Sequence, residues 1–276
     1  MAAKELNPQG RLHGMAVFLS ASVPSPERAD EYERIPEAPL RIEEAVVSVA
    51  RAVFMEGGTL VFGGHPSISP LVAQVVSHYY LPEPAEQIEL PAEGQSRWRN
   101  PSVRIYQSKV WSEYQAEATK ALSRHPLVEI VDVKAVAGEE IDPAITNRPQ
   151  APLSLEAMRR SMIEDTSPIA MVAIGGMKGV LDEAALFAEL RPGRPVFALE
   201  TTGGAAALLK KRLPVLSDSI HVPDEGALEL VKKFWAGQDH ERSNDERQAA
   251  ESPREHFVPY AFVAQKIVEE LIARAR

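Results

Sequence analysis

Three glycine turns carry the residues whose types and spacing could do chemistry. The stretch MVAIGGMKGVLDEAALF, Met171 to Phe187, sets Gly175, Gly176, Lys178, Gly179, Asp182 and Glu183 in close succession after an apolar run. TLVFGGHPS brings Gly63, Gly64 and His65 to the end of a second apolar run, and FALETTGGA brings Thr201, Thr202, Gly203 and Gly204 to the end of a third. Glycine lets a ligand approach the backbone closely, and a helix N-terminus offers unpaired N–H groups and a partial positive charge, so such turns suit an anion. A tight turn also needs glycine when nothing binds there. Three turns at corresponding places favour a phosphate-bearing ligand over coincidence.

The candidate side chains each have a chemical reading and a plainer one. Glu183 can accept a ribose hydroxyl, or with Asp182 simply complement a helix dipole. Arg160 has the fork geometry to clamp a phosphate, against an exposed ion pair on a helix; Arg159 is the lesser of the two. Lys178 can neutralise a phosphate as a point charge. His65 can contact a ligand or move a proton, or order its own loop. Thr201 and Thr202 can donate hydroxyls beside Gly203 or satisfy the turn backbone. Gln107 and Ser108 end the run VRIYQS and can reach the same rim to read a base or sugar, or hydrogen-bond within their loop. Ser67 and Ser69 read as caps for the helix that follows, since no G-x-S-x-G elbow surrounds them.

The central turn matches neither well-known phosphate loop. The first glycine of G-x-G-x-x-G would fall on Ile174, and a Walker loop is absent, although Glu200 stands where a dinucleotide fold places its ribose carboxylate. The seven histidines are scattered without an H-E-x-x-H motif, and the chain has no cysteine, so no metal site and no cofactor are expected.

The elements that must position these residues follow from periodicity. Strands are expected at GMAVFLSAS, TLVFGG, VRIYQS, LVEIVDV, SPIAMVAIGG and RPVFALE. Helices are expected at LRIEEAVVSVARAVFM, SPLVAQVVSHYY with Ser69 as cap, SEYQAEATKALSRH, SLEAMRRSMIED with Ser154 as cap, VLDEAALFAEL, GGAAALLKKR and about 224–235. The alternation predicts an α/β, Rossmann-like fold, a mostly parallel sheet with helices on both faces. In such a sheet the glycine turns share one rim, at the carboxyl ends of the strands. Residues 1–235 read as one nucleotide-binding domain and 236–256 as a charged mobile linker. Residues 257–276 read as an amphipathic helix that covers the sheet or pairs with a second subunit.

A formal charge of −9 argues against nonspecific attraction to nucleic acid or anionic lipid. A local basic stretch, RWRNPSVRIYQSK, suits a phosphate or stacked base, or is a solvated loop. With no apolar run long enough to cross a bilayer and no hydrophobic signal core, a cytoplasmic chain without membrane contact is expected.

The turns, with MRRSM ahead of IAMVAIGGMKGVLDE, resemble the SLOG superfamily over roughly Met15 to Leu216. That superfamily joins the Lonely-guy (LOG) phosphoribohydrolases, the DNA-processing A proteins and ligand sensors of bacterial defence systems. LOG enzymes carry M-x-x-R-K followed by P-G-G-x-G-T-x-x-E. Met158, Arg159 and Arg160 resemble the first motif, and Gly175, Gly176, Gly179 and Glu183 the second. LVFGGHPSISPLV looks closer to the nucleotide-sensor-like branch. Ile174 replaces the LOG proline, Val180 stands where its threonine would be, and Lys178 is an extra residue. Those changes fall on the loop that would place catalytic atoms. The resemblance thus implies first a nucleotide or ADP-ribose-like ligand, sensed in stress or phage-defence signalling through a homo-oligomer or an effector protein. Its second implication is hydrolysis of a nucleoside monophosphate, with Arg160 on phosphate and Glu183 serving the sugar.

Overall fold

A computed structural model describes residues 10–24, 32, 37–80, 102–114, 117–123, 125, 127–139, 151–238 and 258–275. The basic stretch around Arg97, Trp98 and Arg99 lies outside them, as does the expected linker from residue 239 onward. Seven strands form one sheet: β1 (Ala16–Ser22), β2 (Thr59–Gly63), β3 (Val103–Ser108), β4 (Val128–Val133), β5 (Ala170–Gly175), β6 (Val196–Leu199) and β7 (Ile220–His221). All pairings are parallel, in the order β4-β3-β2-β1-β5-β6-β7. The α-helices among the described residues are α1 (Ala38–Met55), α2 (Ser69–Tyr80), α3 (Glu117–Leu122), α4 (Pro152–Thr166), α5 (Lys178–Leu190), α6 (Leu209–Arg212), α7 (Pro223–Gln238) and α8 (Tyr260–Arg274).

Alternate residues of each central strand feed two cores. Val17, Leu19, Val172, Ile174, Phe197 and Leu199 face α1, α2 and α8, while Phe18, Met171, Ala173, Val196 and Ala198 face α4 and α5. Burial on both sides is why these strands read as nearly unbroken apolar runs. Ser20 and Ser22 share the parity of Phe18 and are buried, so polar atoms enter the sheet on the α4–α5 side just below its carboxyl rim. None of the described helices is long and apolar enough to cross a membrane.

Several boundaries differ from the sequence reading, each for a local reason. Ser69 begins α2 rather than capping it, and its buried hydroxyl meets no hydrogen-bond partner. Ser154 sits inside the first turn of α4, where its hydroxyl accepts the Val136 amide at 2.9 Å. The cap there is the carboxylate of Glu139, which accepts the Leu153 and Ser154 amides at 3.0 and 2.6 Å. A cap supplied from a loop fifteen residues upstream has no sequence spacing to betray it. The helix expected over SEYQAEATKALSRH is a 3-10 segment at Lys109–Tyr114 and the short α3. The helix expected over GGAAALLKKR is a 3-10 turn, Ala206–Leu208, running into α6. The short piece LPVLSD is a 3-10 segment leading into edge strand β7. The C-terminal helix α8 packs on α1 and α7. It buries Tyr260, Val263, Ile267, Val268 and Leu271 in the same core as β1 and β5.

Phe187 of α5 is fully buried with its ring 6.2 Å from that of Phe18. Phe187→Ala leaves a large cavity under the sheet and is expected to cost about 3–5 kcal/mol, read as a lower urea midpoint; a shift under about 1 kcal/mol would show that the α5 interface is not tightly packed.

Candidate functional site

The strand order reverses between β1 and β5, and the crevice beyond such a reversal is where open α/β sheets hold ligands. Two glycine turns meet there. The Gly176 amide donates to the Ser22 carbonyl at 2.8 Å, joining the ends of β5 and β1. The Gly175 amide donates at 2.7 Å to the buried Thr202 hydroxyl, which donates at 2.6 Å to the Leu199 carbonyl. The Ala205 amide returns to the Gly176 carbonyl at 2.9 Å. Gly204, at φ 62°, lies against this turn so closely that a Cβ would stand 2.5 Å from the Gly176 oxygen. Gly203 likewise spends its amide on the Glu200 carbonyl at 2.9 Å. Thus the Gly175, Gly176 and Gly203 amides and the Thr202 hydroxyl are spent on bonds within the rim itself.

The anion-binding potential moves to the first turn of α5. Its N-terminus has no side-chain cap, and the first amides of a helix lack intrahelical acceptors. Over this turn lies the guanidinium of Arg159, whose Nη2 is 2.8 Å from where a Gly179 Cβ would be. Arg159 Nε donates to Glu183 Oε1 at 3.0 Å, and its Nη1 is 3.5 Å from Asp182. The other Glu183 oxygen accepts the Ser20 hydroxyl. Arg159 and Glu183 are mostly buried, with side chains 12% and 16% exposed, so their attraction is less screened than on the surface.

Arg159, not Arg160, is therefore the cation beside Glu183. Arg160 faces outward on α4, paired with Glu156, Glu164 and Glu189 at 4.0, 3.7 and 3.3 Å. The two residues are adjacent on a helix, so about 100° separates their side chains and only one can face the cleft. Lys178 stands at the mouth, 78% exposed and 2.6 Å from Asp182.

The ends of β2 and β3 gather a second group. Gly64 donates to the Tyr106 carbonyl at 3.1 Å and lies against the Gln107 side-chain amide, whose nitrogen would stand 2.4 Å from a Cβ. His65 Nδ1 lies 3.3 Å from the Ser67 amide and 2.9 Å from the Ser67 hydroxyl. The same hydroxyl accepts the Val23 amide at 3.4 Å, tying this loop to β1. His65 therefore orders its own loop. Gly63 ends β2 beside it, and Ser108, one residue past Gln107, is buried with its hydroxyl accepting the Val110 amide at 3.4 Å.

Thr201 faces the opposite side of the sheet. Its amide and hydroxyl donate to Asp224 Oδ2 at 2.7 and 2.6 Å, its hydroxyl lies 2.9 Å from the Tyr260 phenol, and its carbonyl accepts from Arg41 at 3.0 Å. Because the Thr201 proton goes to the carboxylate, the phenol donates to Thr201. Burial pushes the Tyr260 phenol up to about 12, which keeps that proton in place. Burial also raises Asp224, whose Oδ1 is buried without a partner, and the Thr201 bonds only partly offset it. Glu200 is raised by burial too, with Lys210 pulling the other way. No group of three or more metal-ligating side chains occurs among the described residues.

Ser20, Arg41, Asp224 and Tyr260 went unassigned at the sequence level. Only Ser20 left a signal, a hydroxyl within a run of apolar strand residues.

Comparison with known proteins gives a family and a distant fold likeness. The profile of the SLOG cluster3 family matches residues 34–225, more than half the chain. The solved structure of the structural-genomics target TM1055 aligns with 71% of this chain and 81% of its own, at 16% identity and a TM-score of 0.39. No curated protein matches significantly.

Asp224 titrates higher in the folded chain than in the unfolded one, so the folded state binds the extra proton. Its contribution grows as pH falls from above the raised folded value toward the ordinary value of 3.8, and is lost as pH rises through the folded value. Urea midpoints at pH 5 and pH 8 should show wild type gaining on Asp224→Asn at the lower pH; a gap independent of pH would mean the carboxylate is not buried as described.

Proposed function

The chain belongs to the SLOG cluster3 family, and from that premise we propose that it binds a nucleotide or ADP-ribose-like ligand in the crevice beyond β1 and β5. The observation that carries the reading is the Arg159 guanidinium lying over Gly179 at the start of α5, with its Nε on Glu183. An anion at that turn meets helix amides, the remaining Arg159 N–H groups and, at the mouth, Lys178. Glu183, fixed by Arg159 and Ser20, would accept a sugar hydroxyl of the same ligand. His65 and Gln107, beyond the neighbouring strands, complete the wall that would meet the base.

In this reading Gly63, Gly64, Gly175, Gly176, Gly179, Thr201, Thr202 and Gly203 shape the rim, and Ser108 supports it. Arg160 has no part in the site. The protein acts as a cytoplasmic sensor in stress or phage-defence signalling, and the signal passes through a homo-oligomer or an effector protein. A ligand shifts such a balance only by binding one state better than the other.

One observation favours a second reading, phosphoribohydrolase activity: an arginine and a glutamate stand paired at the start of α5, where the carboxylate would stabilise positive charge developing on a bound sugar.

Purified protein incubated with AMP, ADP, ADP-ribose and cyclic ADP-ribose, then desalted and denatured for mass spectrometry, should yield a retained and unaltered ligand. Arg159→Met is expected to lower retention at least about tenfold, the scale of a lost charge-assisted contact, and Arg160→Met to leave it unchanged. Equal loss in both variants would remove Arg159 from the site. Free base released by wild type and not by Glu183→Gln would replace the sensor with the hydrolase.

A further inference from the structure

We infer that α8 is the element that reads the state of the glycine rim, docking more firmly when the rim is ordered and loosening when it is not. This regulation rests on the ligand-binding reading above. Helix α8 lies beyond the stretch matched by the family profile. It nevertheless reaches the rim with its first residue. The Tyr260 phenol, 1% exposed, bonds the Thr201 hydroxyl at 2.9 Å, and Thr201 is held from the other sides by Asp224 and Arg41.

From Thr201 the connection to the site is short and continuous. The hydroxyl of Thr202, next in the chain, accepts the Gly175 amide at 2.7 Å, and the Ala205 amide donates to the Gly176 carbonyl at 2.9 Å. Two residues on from Gly176, α5 begins, with the Arg159 guanidinium across its first turn. Every member up to Gly176 is buried or half-buried, so no bond in the series is readily replaced by water. Displacing Tyr260 leaves the Thr201 hydroxyl beside a buried carboxylate without its donor, and the resulting cost falls on the turn that supports Gly175. Coupling of this kind is reciprocal: whatever orders the rim holds α8, and whatever holds α8 orders the rim.

Hydrogen–deuterium exchange on the full chain separates this coupling from the ligand assignment. Without ligand, Tyr260→Phe removes only the phenol hydroxyl. It is expected to speed exchange about threefold to tenfold, the effect of one lost hydrogen bond, in 260–274 and also across 175–180 and 200–205. Ile272→Val, at the far end of the same helix, carries a similar cost and should speed exchange in α8 alone. Acceleration confined to 260–274 in Tyr260→Phe overturns the inference. With saturating ADP-ribose, exchange in wild-type α8 should slow, and Tyr260→Phe should bind ADP-ribose about threefold or more weakly. ADP-ribose that binds without slowing α8 also overturns it. If ADP-ribose fails to bind, the failure belongs to the ligand assignment, and the ligand-free comparison of the two variants decides the coupling.

Discussion

The carboxyl rim depends on the contact between two glycine turns. Gly204 lies on the Gly175–Gly176 turn at a distance that no Cβ permits, and the flanking Thr202 and Ala205 bond the Gly175 amide and the Gly176 carbonyl. That contact fixes where β5 ends, and hence where α5 begins and in what direction its first amides point. Helix α5 in turn carries Glu183 to Ser20 of β1 and sets Gly179 beneath Arg159 of α4. Four elements from distant parts of the chain converge because one pair of turns closes tightly.

Two buried carboxylates flank this contact and differ in what surrounds them. Glu183 meets a guanidinium and a hydroxyl, each satisfying one of its oxygens. Asp224 is more deeply buried and meets the neutral donors of Thr201, while its second oxygen has none. Burial without a compensating cation disfavours ionisation, which is why the Asp224 carboxyl is raised. The two therefore sit in different places: Glu183 joins α5 to α4 and β1, and Asp224 ties the rim to the helices packed behind it.

The fold was legible because parallel strands buried on both faces announce themselves, and all six strands expected from apolar runs are present. The site was half legible. Glycine doublets correctly mark the turns at the rim, but glycine has the same signature whether a ligand or another backbone makes the close approach, and at Gly204 it is backbone. The choice between Arg159 and Arg160 turns on the rotation of α4 about its axis, which neighbouring residues in a sequence do not reveal. Tyr260 and Asp224 come from helices expected to be ordinary cover, and their meeting at Thr201 is a product of tertiary packing alone. The two-residue β7 had no periodicity to read.

The occupancy of Glu183 bears on which chemistry this crevice supports. A general base needs a lone pair directed at the proton it takes and a proton affinity matched to the task. Here Arg159 and Ser20 already occupy one acceptor direction on each oxygen. Each carboxylate oxygen still has a second acceptor direction, which suffices for a hydroxyl that stays protonated. For water activation the Arg159 contact would have to be given up, and an incoming phosphate is the group able to draw that guanidinium away. The two proposed readings thus differ at one bond: binding would leave Arg159 on Glu183, and hydrolysis would require the phosphate to take Arg159 for itself.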